Sequence, residues 1–192
     1  RCLKRAFDII GALVGLTICS PIFLIISILI TYQSNGPIFF RQIRIGYKGR
    51  PFAIFKFRTM SSVVEEEGPQ LVAKCDSSNS TRLEQFLRGH HLDELPQLWN
   101  VLRGDMSFVG PRPERKFFID KIMEQTDRYQ LIYEMRPGLT SEATLYNGYT
   151  DTMEKMLRRM EMDIHYLEHR TLWLDFTIVV KTVLNIVTGK KF

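Results

Sequence analysis

Residues 9–40 contain no charged side chain, and Ser20-Pro21 lies near the middle of the most apolar part, residues 9–30. As a helix that part is about 33 Å long, enough to cross a hydrocarbon core of about 30 Å. Three arrangements compete for it. A cleaved leader needs a basic start and small residues before the cut. Arg1, Lys4 and Arg5 supply the start, but residues 18–21 are a poor cleavage site and the chain is strongly apolar again beyond them. A straight crossing would separate two basic flanks. Arg1, Lys4 and Arg5 precede the segment, and Arg41, Arg44, Lys48, Arg50, Lys56 and Arg58 follow it with no acid between them. Basic flanks favour the cytoplasmic side, so both ends want the same face. A helix that enters, breaks at Ser20-Pro21 and returns satisfies both. Proline costs roughly 3 kcal/mol inside a helix, and a neighbouring serine can bond the backbone group it frees. A proline-kinked ordinary crossing is the competing reading.

The remaining composition narrows the partners. A net charge of +5 suits an anionic partner. Cys2, Cys19 and Cys75 are odd in number and show no CxxC spacing, against a disulfide framework or a thiolate zinc site. Neither a P-loop, a GxGxxG nor a nucleic-acid-binding signature occurs.

Beyond the apolar segment the expected fold is α+β and mostly helical, with residues 1–36 as the membrane segment and 37–192 as the catalytic domain. Residues 38–45 and 52–59 are rich in aromatic and β-branched side chains, and the turn residues between them predict a β-hairpin. Residues 61–80 are polar and read as a mobile loop. Thr81 and Glu84 match a capping box opening a short helix that Gly89 ends. A second helix is expected from about Asp93, with Pro96 in its first turn and Leu95, Leu98, Trp99 and Leu102 facing a core. Residues 106–109 read as extended, 117–134 as helix, and 136–150 as loop. Met153, Met156, Leu157, Met160, Ile164 and Leu167 keep helical spacing. Residues 172–187 form an apolar helix with a polar stripe, suited either to packing on the domain or to lying in a membrane interface.

The chemistry-bearing residues cluster in a few motifs. Asp93 and Glu94 sit together in "HLDELPQLWN". Acids at a helix start commonly serve the helix dipole, but one would suffice. An adjacent pair also suits a hard divalent cation that takes one or two carboxylates plus substrate phosphates. Arg112 and Arg136 each precede a proline, which holds their backbone extended. Guanidinium forks on stiff loops suit bidentate phosphate contacts. Arg88 ends the helix before the acidic pair, and Lys56 and Arg58 close the hairpin. Each cation alone reads as a solvated surface charge; with the carboxylate pair they read as a diphosphate site. His165 and His169 are four apart on a helix, and a solvated helix face is the expectation for them.

Taken in order, "KRAFDIIGALVGLTICSPIFLI", "GPIFFRQIRIGYKGRPFAIFKFRTM", "LDELPQLWNVLRGDMSFVGPRPE" and "MRPGLT" resemble the bacterial sugar transferase family, the monotopic polyprenyl-phosphate glycosyl-1-phosphate transferases. The resemblance implies transfer of a sugar-1-phosphate from a UDP-sugar to polyprenyl (undecaprenyl) phosphate with release of UMP. That reaction initiates exopolysaccharide, capsule, O-antigen or glycoprotein glycan synthesis. It implies a re-entrant helix bent at Ser20-Pro21, Mg²⁺ as cofactor at the catalytic pair Asp93 and Glu94, Asp93 as the nucleophile, and Glu94 either helping to hold Mg²⁺ or accepting a proton from the lipid phosphate. Arg88, Arg112 and Arg136 would bind phosphates. The location implied is the cytoplasmic face of a bacterial inner membrane, among membrane lipid, with no nucleic-acid partner and homo-oligomerisation left open. Some relatives carry a further N-terminal membrane region, and this chain would match only their catalytic part. After "RPGLT" the run "SEATLYNGYTD" departs from the family pattern at Glu142, which leaves the donor sugar open. The competing reading is a non-catalytic membrane scaffold of a polysaccharide assembly complex.

Overall fold

The computed structural model describes residues 2–33, 36–59, 81–148, 150 and 152–188; the expected loop over 61–80 lies outside them. Helix α1 (Cys2–Gln33) is followed by strands β1 (Phe39–Ile45) and β2 (Pro51–Phe57), and then by α2 (Arg82–Gly89), α3 (Gln97–Arg103) and β3 (Ser107–Val109). The chain continues through α4 (Lys116–Met123), β4 (Gly138–Thr140), α5 (Glu142–Asn147), α6 (Met153–His169) and α7 (Leu172–Thr188). The fold is mostly helical with two small sheets. β1 and β2 form the expected antiparallel hairpin, and β3 pairs with β4 in parallel.

Helix α1 does not break at Ser20-Pro21: helical backbone continues through the proline. Pro21 has no N–H for the carbonyl of Thr17, four residues back, and the Ser20 hydroxyl donates to that carbonyl at 2.8 Å. The serine thus supplies the bond the proline removes. One stripe of α1 packs on the rest of the protein over almost its whole length. Ala12 lies against Ile54, Val101 and Met106, while Ile26 and Ile30 join Phe57 and Leu87. The remaining surface exposes Leu3, Phe7, Ile10, Leu13, Val14, Ile18, Ile22, Leu24, Ile25, Ile28 and Leu29.

Three expectations need correction. Residues 117–134 are not one helix. α4 ends at Met123, and Thr126 caps a separate 3-10 segment (Asp127–Glu134) by accepting the amide hydrogen of Arg128. Residues 136–150 are not plain loop, because β3 recruits Gly138–Thr140 as a partner strand and Ser141 caps α5. α3 begins at Gln97, a turn later than expected, and Trp99 is half exposed while Asn100 is buried in the core. Asn100 accepts from the Phe55 amide at 3.1 Å and donates to Ala53 O at 2.7 Å. Those strand groups demand a polar partner more than they tolerate an indole.

The largest core gathers Val109, Ile119, Ile122, Tyr129, Met160 and Ile164 around α4 and α6. The apolar spacing of α6 thus meets the core it predicted. α7 buries Ile178 and exposes Trp173, Phe176, Val183 and Leu184.

Candidate active site

The acidic pair lies between α2 and α3. The capping box of α2 forms as expected, with Thr81 and Glu84 bonding reciprocally. After α2 the chain turns through His91, held left-handed at φ 54°, ψ 21°. A non-glycine residue there is strained, and such strain concentrates at functional sites. A 3-10 turn (Leu92–Glu94) follows. Leu92 and Leu95 pack on the cluster of Ile26, Ile30, Phe57 and Leu87, so the apolar stripe of α1 seats the turn.

That packing leaves the two carboxylates in different surroundings. Asp93 is buried. Glu94 accepts a hydrogen bond from Lys56 Nζ at 2.5 Å and lies 4.0 Å from a guanidinium nitrogen of Arg112. Burial pushes the Asp93 carboxyl up from its ordinary value, the charge of Glu94 adds to the rise, and Lys56 opposes it. Burial also acts on Glu94, but Lys56 and Arg112 together hold it well below the usual carboxylate range. One environment therefore pushes two neighbouring carboxyls apart, a pattern found where groups take distinct chemical roles. Burial lowers the neighbouring His91 and favours neutral imidazole.

Asn100 fixes the frame by tying the strand that carries Lys56 to the helix that follows Asp93-Glu94. Arg112 is set by the parallel β3–β4 pair. Ser107 N donates to Pro137 O at 2.8 Å, Gly110 N to Thr140 O at 3.1 Å, and Gly138 N to Pro111 O at 2.9 Å. Gly110 and Gly138 meet backbone to backbone: a Cβ on Gly110 would lie 2.3 Å from Arg136 O, and one on Gly138 2.2 Å from Gly110 N. The two proline-flanked arginine motifs are thereby laced together.

Of the expected site residues, the structure gathers Asp93, Glu94, Lys56 and Arg112. The Arg136 Nε donates to Gly104 O at 2.9 Å, and its guanidinium lies over the Tyr47 ring at 5.4 Å. The Arg58 amide donates to Ile38 O, and its guanidinium lies beside Gly36. Arg88, in the last turn of α2, has no ion pair among the described residues. His165 and His169 stack on each other on α6, and among the described residues no group of three or more His, Cys, Asp or Glu side chains gathers to hold a metal.

Sequence reasoning missed a buried polar network beneath the Arg112 loop. Glu114 takes Arg159 at 3.2 Å and Arg44 at 3.7 Å, and the Ile45 amide donates to Glu114 O. Arg159 also reaches Gly148 O at 3.3 Å. Buried Asp163 has its carboxyl pushed up to about 8 by desolvation, against the pull of Arg159. The signal was available: residues 159 and 163 fall on the same face as Met156 and Met160, and charges in an apolar stripe need partners. Asp8, discussed below, was also missed.

The donor chemistry fits a hard divalent cation that completes its shell with substrate oxygens. Asp93 and Glu94 are adjacent, although one Glu94 oxygen is already bonded to Lys56.

An acidic pair flanked by cations thus lies on a domain docked along an exposed apolar helix. Comparison with known proteins is specific: the family model for bacterial sugar transferase matches residues 1–189, and the chain belongs to that family. It is 38% identical over 97% of its length to the UDP-N-acetylgalactosamine-undecaprenyl-phosphate N-acetylgalactosaminephosphotransferase of Aeromonas hydrophila. It is 40% identical, over 96% of its length in each case, to the UDP-glucose:undecaprenyl-phosphate glucose-1-phosphate transferases of Escherichia coli K12 and Caulobacter vibrioides. The chain spans 44% of the Aeromonas protein, 40% of the Escherichia protein and 70% of the Caulobacter protein. α1 is by length and composition able to cross a membrane, which agrees with a membrane-associated family.

Proposed function

We propose that this chain transfers a sugar-1-phosphate from a UDP-sugar to undecaprenyl phosphate, with release of UMP. The observation that carries the reading is the split pair: a buried Asp93 of raised basicity beside a Glu94 kept ionised by Lys56 and Arg112. An Asp93 carboxylate oxygen attacks the phosphorus bonded to the sugar. The P–O bond to the UMP leaving group breaks, and a phosphosugar-aspartyl ester forms. An undecaprenyl phosphate oxygen then attacks the same phosphorus and displaces the carboxylate, giving undecaprenyl-diphospho-sugar. This is covalent catalysis in two displacements. A raised carboxyl is a better nucleophile once ionised. Arg112 binds the diphosphate, while Lys56 holds Glu94 ionised. Arg88 and Arg136 serve as further phosphate-binding residues, with Arg58 at the end of the hairpin. Asp93 and Glu94 would hold Mg²⁺, which would supply charge neutralisation for the diphosphate when bound.

The membrane arrangement belongs to the same proposal. α1 keeps its helical backbone, bends at Ser20-Pro21 and leaves the membrane by the face it entered, α7 lies in the interface through Trp173 and Phe176, and the site faces the cytoplasm of a bacterial inner membrane. Support comes from the packed stripe of α1, which touches the domain near both ends. A helix crossing straight through lipid would carry a polar domain with it. The product enters bacterial surface-glycan synthesis.

The test is UMP release from UDP-glucose and UDP-N-acetylgalactosamine without acceptor. Wild type is expected to give a burst approaching one equivalent per enzyme, and Asp93→Asn none. Normal turnover by the Asp93→Asn protein would remove the nucleophile assignment. No release by wild type with a broad UDP-sugar panel would leave the scaffold reading.

A further inference from the structure

The first turns of α1 carry three charged side chains, Lys4, Arg5 and Asp8, and each is engaged with the rest of the protein. Asp8 is 4% exposed. Its Oδ1 accepts from Ser107 Oγ at 2.9 Å and from the Phe108 amide at 3.0 Å. Arg5 donates to Val101 O at 2.6 Å and Leu102 O at 2.8 Å in the last turn of α3, where Val101 O also accepts from the Gly104 amide at 3.1 Å. Lys4 donates to Val109 O at 3.0 Å and pairs with Asp175 of α7 at 2.5 Å. Gly11 and Gly15 bring the same face close to Phe108 and Leu98.

These contacts converge on the two segments that present the site. β3 runs into Gly110-Pro111-Arg112, and α3 directly follows Asp93-Glu94. We infer that Asp8 is a positioning residue for the transfer reaction. By holding the backbone and side chain of β3, it sets where Arg112 stands relative to Glu94, with Arg5 fixing α3 in the same frame. α1 is thus part of the catalytic scaffold as well as the membrane anchor. The buried carboxylate is committed to this joint: without it the Ser107 hydroxyl and Phe108 amide lose their acceptor in an apolar surrounding. A misplacement of about 1 Å at a phosphate-binding group can cost about a hundredfold in rate.

The inference rests on the proposed transferase reading, so its test has an arm that does not need activity. Asp8→Asn, Asp8→Ala and, as a control on the exposed face, Ile18→Ala are compared in detergent and in liposomes. The expected result is faster amide exchange over residues 105–112 in both Asp8 variants, larger for Asp8→Ala, with α6 unchanged. The burst of UMP release without acceptor should slow by about tenfold or more, while liposome flotation and the KM for acceptor stay at the wild-type level. Because the burst is read in detergent, an anchoring role would leave it unmoved. Ser107→Ala, which removes one of the two donors without touching α1, should reproduce part of the loss. Unchanged exchange over 105–112 in Asp8→Ala would overturn the inference, as would a wild-type burst joined to lost flotation. If wild type releases no UMP, the transferase reading fails and the exchange result alone decides the joint.

Discussion

Asp93 and Glu94 are neighbours in sequence with opposite electrostatics, and the difference comes from one lysine and one arginine that arrive from other segments. Lys56 opposes the rise at Asp93 and stabilises ionised Glu94. Replacing it by Met is expected to raise both carboxyls. The acid limb of UMP release, which rises with pH as Asp93 ionises, should then move to higher pH by about one unit; a pH profile of the burst rate checks it. Asp163 provides a second residue-scale test. Its folded value of about 8 lies above the ordinary carboxylate value. The folded state therefore binds the extra proton, and the contribution is full below the unfolded value. Stability is lost as pH rises through the window up to about 8. Thermal melts in detergent should show that decline in wild type and a flatter profile in Asp163→Asn, whose amide carries no charge to bury.

Among the elements, the β3–β4 pair does more than its three-residue strands suggest. It brings "VGPRP" and "MRPGLT" side by side through a glycine contact too close for any side chain. Gly138→Ala would force Cβ to within 2.2 Å of Gly110 N, and is expected to destabilise by about 1–3 kcal/mol, measured by urea unfolding in detergent. Donor affinity should fall with it, because Arg112 follows Gly110 by two residues. The hairpin, the α2 capping box and α6 were all readable from local patterns: alternation with turn residues, a Thr–Glu pair three apart, and a Met-rich helical stripe. β4 and α5 were not, because a three-residue strand has no pattern of its own and exists only where a partner strand is already in place.

For the whole molecule, the open question was how an apolar helix and a basic domain share one chain. By composition the basic N-terminal flank is a topology signal, yet Lys4 and Arg5 are engaged with α3, β3 and α7. What ties both halves of α1 to one domain is the packed stripe from Asp8 to Ile30. A cysteine pair tests it. With Cys19 and Cys75 replaced by Ser, Cys2 and Gln33→Cys should both react with an impermeant thiol reagent from the same side of sealed vesicles. Reaction from opposite sides would mean a straight crossing.

The sequence alone determined the apolar helix, the hairpin, the acidic pair, and, through four ordered motifs, the family. These depend on composition and on spacing within a few residues, which local physics reads directly. Only the tertiary structure decided which cations reach Glu94, that Asn100 welds β2 to α3, that Glu114 collects Arg44 and Arg159, and that Asp8 grips β3. Those contacts join residues tens of positions apart, and burial, which sets both the raised Asp93 and the committed Asp8, exists only once distant segments close around them.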